Sequence, residues 1–309
     1  MTHEPEKARI WILGLLHSGT TIFWRAWRKD NRFLCLDEPL TGDVGRWFPT
    51  GNPKGTHREY AELFREAPKH FWNLYAPMEP YQELDGVLTA QQRRYLRMLT
   101  EQAENLVIDE THAHLHLPEI QQLTPSANVI HLYRRASGFA TSHLLPSIDR
   151  QVPWPLVLRQ RLGRAYRKRR FWERMDLPAG MGRDKVIGHN PHSKFGLMLS
   201  EAGYDAERIM RAPALARLLA YWRYHYHHVE REGARLFGER FVSLPYEAFA
   251  TDASSTMQRL YEWIGMAPPP DTTYPDVHPP KPPYRPRDRR WREAARIAGF
   301  TDEEIEALL

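Results

Sequence analysis

Arg9-Ile10-Trp11-Ile12-Leu13 form a short apolar run that stops at Gly14, and apolar periodicity resumes only after Thr20. Between them lies Gly14-Leu15-Leu16-His17-Ser18-Gly19. The pattern is a buried strand, a glycine-bounded turn and a helix over 20–28 that presents Ile22, Phe23, Ala26 and Trp27. Such a chain places a helix N-terminus at the carboxyl end of a strand, where backbone N–H groups and the helix dipole favour an anion. The spacing is that of a G-x-x-x-x-G phosphate loop, but Thr20 stands where the nucleoside-triphosphate motif carries lysine. Without that lysine the loop suits one 5′-phosphate better than a triphosphate with magnesium, which argues against kinase or NTPase chemistry. A plain glycine turn between strand and helix is the bland alternative.

Short apolar runs at 33–36, 106–109, 128–133 and 241–244 read as further strands, and helical patterns occupy 56–75, 89–104, 136–145, 212–232 and 253–264. This alternation predicts an α/β fold, three layers α/β/α with a central parallel sheet and the P-loop-like turn on its first strand. Residues 41–55, rich in Gly, Pro and Trp, read as an irregular loop, and 288–309 as a short helical tail. The expected organisation is one domain over 1–309 with an inserted helical basic lid at 153–196 and an extended proline-rich arm at 267–286. The insert crowds Arg159, Arg161, Arg164, Arg167 and Arg170 with Trp154 and Trp172. It can be read as a solvated helix face, a lid for an acidic acceptor, or a nucleic-acid surface; without a recognisable nucleic-acid fold, a lid or solvated helix is preferred.

With 42% hydrophobic and 26% charged residues the chain has the composition of a globular protein. Its 43 basic against 38 acidic side chains give a net charge of +5, which favours anionic ligands. The single cysteine, Cys35, excludes an internal disulfide framework. The first nine residues are polar and lack the apolar core of a signal peptide, and no run of about 18 apolar residues suggests a membrane span. A cytoplasmic protein is expected.

His17-Ser18-Gly19-Thr20-Thr21 after a strand resembles the 5′-phosphosulfate loop of sulfotransferases that use 3′-phosphoadenosine 5′-phosphosulfate (PAPS), with histidine at the usual Lys or Arg position. The resemblance implies that His17, Ser18, Gly19, Thr20 and Thr21 bind the donor and that His17 faces its bridging oxygen. Eight residues separate Arg134, at the end of the fourth strand, from Ser142 in the helix after it. The resemblance gives this pair to the 3′-phosphate, although Arg134-Arg135-Ala136 replaces the usual Arg-Asp-Pro. Tyr246-Glu247 resembles a Tyr-Glu segment that recurs in the family and reads as structural, a strand cap and a core helix. Arg287, in a basic run with Arg285, Arg290 and Trp291, resembles the segment that folds over the 3′-phosphate. The implied cofactor is PAPS and the implied product 3′,5′-adenosine bisphosphate (PAP). Neither nucleic acid nor membrane is an expected partner, and oligomeric state is not readable.

Two residues compete for the general base. His112 resembles the histidine of the family's Lys-Thr-His segment, with Thr111 matching and Glu110 in place of lysine. Glu38, in Asp37-Glu38-Pro39, resembles the Glu-Pro of carbohydrate sulfotransferases. His17 is a third catalytic candidate. Alternation of His112, His114 and His116 raises metal binding, but no carboxylate-rich partner motif accompanies it, and no metal is expected. His225, His227 and His228 read as packing and surface. Trp47, Phe48, Phe71, Trp72 and Trp154 suit either an apolar acceptor pocket or the core. The resemblance implies as acceptor a hydroxyl or amine of a small molecule, natural product or carbohydrate. The rival reading is a basic nucleotide- or nucleic-acid-binding protein without catalysis.

Overall fold

A computed structural model of the chain describes residues 7–48, 55–79, 82–144, 187–270, 272–274, 277 and 289–309. Most of the expected lid at 153–196, with Trp154 and the arginine run 159–174, lies outside them. So do most of the expected arm at 267–286 and Arg287. The chain divides into two compact units, one of residues 1–134 and 227–279, the other of 135–226 and 280–309.

The first unit is built on five parallel strands, β1 Arg9–Leu13, β2 Leu34–Asp37, β3 Leu106–Glu110, β4 Asn128–Tyr133 and β5 Phe241–Pro245, in the order β2-β3-β1-β4-β5. Its central strands are apolar almost throughout because both faces are covered. On one face Ile10, Ile12, Val107, Ile130 and Leu132 pack with Phe23, Trp24 and Trp27 of helix Thr20–Trp27 and with Phe249 and Tyr261. On the other, Trp11, Leu13, Ile108 and Val129 pack with Tyr60, Phe71, Tyr95, Leu99 and Ile120. The period-2 alternation within each strand thus makes two cores, giving the predicted helix, sheet and helix layers.

The second unit is helical among the described residues: Ala136–Leu144, Lys194–Glu201, Ala206–Met210, Arg289–Ile297 and Asp302–Leu308, with the first part of Ala214–Phe237. Arg223 binds both carboxylate oxygens of Glu304 and also donates to the Tyr204 hydroxyl.

Three boundaries differ from the sequence reading. The expected loop 41–55 contains a helix, Gly42–Trp47, because Gly45 is used for packing and not as a breaker: a Cβ there would lie 2.5 Å from the Tyr75 ring. The expected helix 56–75 is two, Arg58–Leu63 and Pro68–Leu74, since Pro68 can begin a helix but not continue one. The tail is also two helices, parted at Gly299 with φ +86° and restarted by a Thr301/Glu304 capping box.

Candidate active site

The chain leaves β1 toward β2 and leaves β4 toward β5, which lie on opposite sides of β1. That reversal makes a topological switch point at the carboxyl ends of β1 and β4, the place where α/β sheets bind ligands. The 14–21 turn sits there. A Cβ on Gly14 would fall 2.4 Å from Thr20 Cγ2 and 2.6 Å from the Leu132 carbonyl, so only glycine lets the chain turn this tightly against β4. Ser18 N–H closes a turn on Leu15 O at 2.9 Å. His17, exposed, has φ +71°, and Gly19 has φ +95°, both left-handed. The Tyr246 ring occupies the place of a Gly19 Cβ, 2.4 Å from its ideal position. Gly19 begins the helix without a side-chain cap, and the buried Ser18 hydroxyl has no hydrogen-bond partner. Together these leave a cradle of uncapped first-turn amides and one buried hydroxyl donor, which suits a phosphate.

Arg134 follows β4 directly and reaches this turn, its Nη1 3.5 Å from the His17 carbonyl. Burial lowers the guanidinium pKa from its ordinary value, and Glu247 and Tyr246 oppose that fall. The Tyr-Glu segment read as a strand cap therefore also shapes the site. The signal was there in the pairing of β4 with β5: Tyr133 stands opposite Pro245, so the next residues, Arg134 and Tyr246, emerge side by side. Ser142 lies in helix Ala136–Leu144, where its hydroxyl donates to the Phe139 carbonyl at 2.7 Å.

At the ends of β2 and β3 the sequence repeats itself. Asp37-Glu38 and Asp109-Glu110 close two neighbouring strands, with Asp37 in register with Asp109. Asp37 and Asp109 are buried, and both carboxyls are pushed well above the usual range, first by burial and then by nearby carboxylates. Thr20 flanks Asp109, and its hydrogen bond to that carboxyl partly opposes the rise.

Glu38 also adopts a left-handed backbone, φ +42°, with its N–H on the Asp109 carbonyl at 2.8 Å. Its Oε1 accepts from the Thr111 hydroxyl at 3.0 Å, and Thr111 Oγ1 lies 3.3 Å from His112 Nδ1. The two base candidates, 74 positions apart in the chain, are thus joined through one threonine. His112 Nδ1 is also 3.1 Å from Glu110 Oε1.

Other described histidines lie in the core or in helices. His116 is buried ahead of helix Leu117–Leu123, and burial pulls its pKa down to about 4, so its ring is neutral. His225 Nδ1 donates to Tyr221 O at 2.8 Å. Among the described residues no group of three or more His, Cys, Asp or Glu is placed to hold a metal ion. Nor, among them, is any helix long and apolar enough to cross a membrane. Phe48 and Phe71 stack at 4.0 Å inside the core, while Trp72 is 45% exposed. The Trp47 side chain lies outside what is described.

Residues 191–270 match the model of the sulfotransferase family. That stretch contains β5 and Tyr246-Glu247 but neither the 14–21 turn nor Arg134, so the family match and the phosphate cradle are separate observations. No curated protein matches the chain. Among solved structures, the chain is similar to the sulfotransferase domain of the Synechococcus PCC 7002 olefin synthase, at 13% identity and a TM-score of 0.44, over 97% of this chain and 96% of that one. It is also similar to sulfotransferase STF9 from Mycobacterium avium, at 16% identity and a TM-score of 0.43, over 99% of this chain and 76% of that one. A sulfotransferase from Alicyclobacillus acidocaldarius matches at 13% identity and a TM-score of 0.41, over 88% of each chain.

Proposed function

We propose that this chain is a cytoplasmic sulfotransferase that moves a sulfuryl group from PAPS to a hydroxyl or amine of a small-molecule acceptor and releases PAP. The observation that carries the reading is the meeting of two elements distant in sequence: Arg134 reaches the backbone of the 14–21 turn at the switch point of the sheet. The family match across 191–270 supports it independently. The unpartnered Ser18 hydroxyl and the uncapped helix start fit a 5′-phosphate, and the Arg134 guanidinium fits a second phosphate of the same nucleotide.

When bound, PAPS supplies an electrophilic sulfur with a phosphate leaving group. In this reading the 17–21 backbone and Ser18 hold the 5′ end, His17 and Thr21 flank it, and Arg134 takes the 3′-phosphate. The family resemblance gives Ser142 and Arg287 roles at the 3′-phosphate as well. His112 or Glu38 removes the acceptor proton. His112 Nδ1 faces Glu110 Oε1 at 3.1 Å, which leaves Nε2 as the ring nitrogen for the acceptor. Positioning and charge stabilisation do most of the work for a nearly free transferring group, and a general base contributes about 10²- to 10⁴-fold.

Titration calorimetry with PAP tests the reading. Micromolar binding that needs no magnesium and disappears in Arg134→Ala is expected. Salt-sensitive binding to DNA or RNA with no response to PAP would overturn it in favour of a nucleic-acid-binding protein. Screening acceptors with labelled PAPS identifies the substrate class.

A further inference from the structure

Both carboxylate oxygens of Glu110 are occupied by groups of the base-bearing loops. The residue is 0% exposed. Its Oε1 accepts from the His112 backbone N–H at 2.9 Å and from His112 Nδ1 at 3.1 Å. Its Oε2 accepts from the Leu40 N–H at 2.9 Å, two residues beyond Glu38. One buried carboxylate therefore clamps the loop after β3 to the loop after β2.

We propose that Glu110 is a positioning residue of the reaction: it locks His112 in the Nδ1–H tautomer and holds the His112 and Glu38 loops together, leaving Nε2 to take the acceptor's proton. This rests on the sulfotransferase reading above. In the step, the acceptor O–H (or N–H) bond breaks, its proton forms a new bond to Nε2, and its electron pair stays on the acceptor atom as the nucleophile. Glu110 accepts the Nδ1–H bond and stabilises the imidazolium through it, without taking the proton itself. Thr111 cannot replace it. Its hydroxyl donates to Glu38, and its 3.3 Å contact to Nδ1 is the longer of the two. A neutral amide cannot replace it either, because an NH2 group in place of one oxygen meets either the Leu40 N–H or the His112 donors, and donor faces donor.

The test reads the imidazole directly, with uniformly 15N-labelled full-length protein and no ligand. In the wild type the His112 ring is expected to show Nδ1 protonated and Nε2 bare. In Glu110→Gln a large share of the ring should move to Nε2–H, and turnover should fall by about 10²- to 10⁴-fold with the PAPS KM within about twofold. Glu110→Asp, which keeps the charge, should keep the tautomer and recover at least about tenfold of that loss. A wild-type ring protonated on Nε2 overturns the proposal without any variant, which covers the case in which Glu110→Gln does not fold. So does a Glu110→Gln ring that stays Nδ1–H with turnover intact. Failure of the wild type to bind PAP counts against the sulfotransferase reading and leaves the tautomer result standing on its own.

Discussion

Replacing Gly19 with alanine tests whether the Tyr246 ring shapes the phosphate turn. The new Cβ would have to sit 2.4 Å from two ring carbons of Tyr246, at a residue whose φ is +95°. The left-handed backbone alone costs an L-residue roughly 1–2 kcal/mol, and forcing a methyl into a packed ring costs about 1–3 kcal/mol more. The sum is about 3 kcal/mol, a large part of the 5–15 kcal/mol that typically stabilises a domain. At about 2–4 °C per kcal/mol for a domain of this size, melting should fall by roughly 10 °C. Because the ring can relieve the clash only by pushing the turn, PAP affinity in calorimetry should drop by at least about tenfold, on the order of the 1.4 kcal/mol that one decade represents. Gly203→Ala is the matched control: its φ is +81° with no atom within 4 Å, so it carries the backbone cost without the clash and leaves PAP binding unchanged. Adding Tyr246→Ala to Gly19→Ala should give a double variant more stable than the sum of the two single losses. Should Gly19→Ala and Gly203→Ala melt alike and bind PAP alike, the packing argument for this turn is wrong.

Other outcomes follow from the same geometry. Arg134→Ala removes both a cation and a contact to the turn, so PAP affinity should fall by about a hundredfold or more, out of calorimetric range, measured at fixed salt. His112→Ala and Glu38→Gln should each lower kcat by about 10² or more while PAP binding persists; full activity in the double variant on the true acceptor excludes both as the base. The Asp37 and Asp109 carboxyls are raised in the folded state, so the native protein holds more protons than the unfolded chain once pH exceeds the ordinary aspartate range. Stability therefore declines as pH rises through that window. Asp109→Asn should melt higher than wild type at pH 7–8, with the gain shrinking toward pH 4. A gain that grows on acidification would contradict the burial argument. His116 acts oppositely: with its pKa lowered to about 4, it costs stability as pH drops below about 6.5, the ordinary histidine value.

The sequence by itself determined the local elements. A five- or six-residue apolar run rich in Ile and Val and bounded by turn residues reads as a strand, and a glycine-bounded turn before an amphipathic run reads as a helix start, so β1, β4 and the 14–21 turn were legible with their boundaries. It also supplied the residue types of the site, since His17, Glu38, His112 and Arg134 all stand just beyond strand ends. Tertiary structure decided which of these meet. Which strands become neighbours, by contrast, depends on how the two cores pack, which no single strand contains. Only the order β2-β3-β1-β4-β5 turns two separate Asp-Glu pairs into one cluster, joins Glu38 to His112 through Thr111, and sets Tyr246 against Gly19. Glu110 shows the difference most plainly. Read along the chain it was an acid where a cation was expected, and in the fold its three hydrogen bonds make it the clamp between two loops.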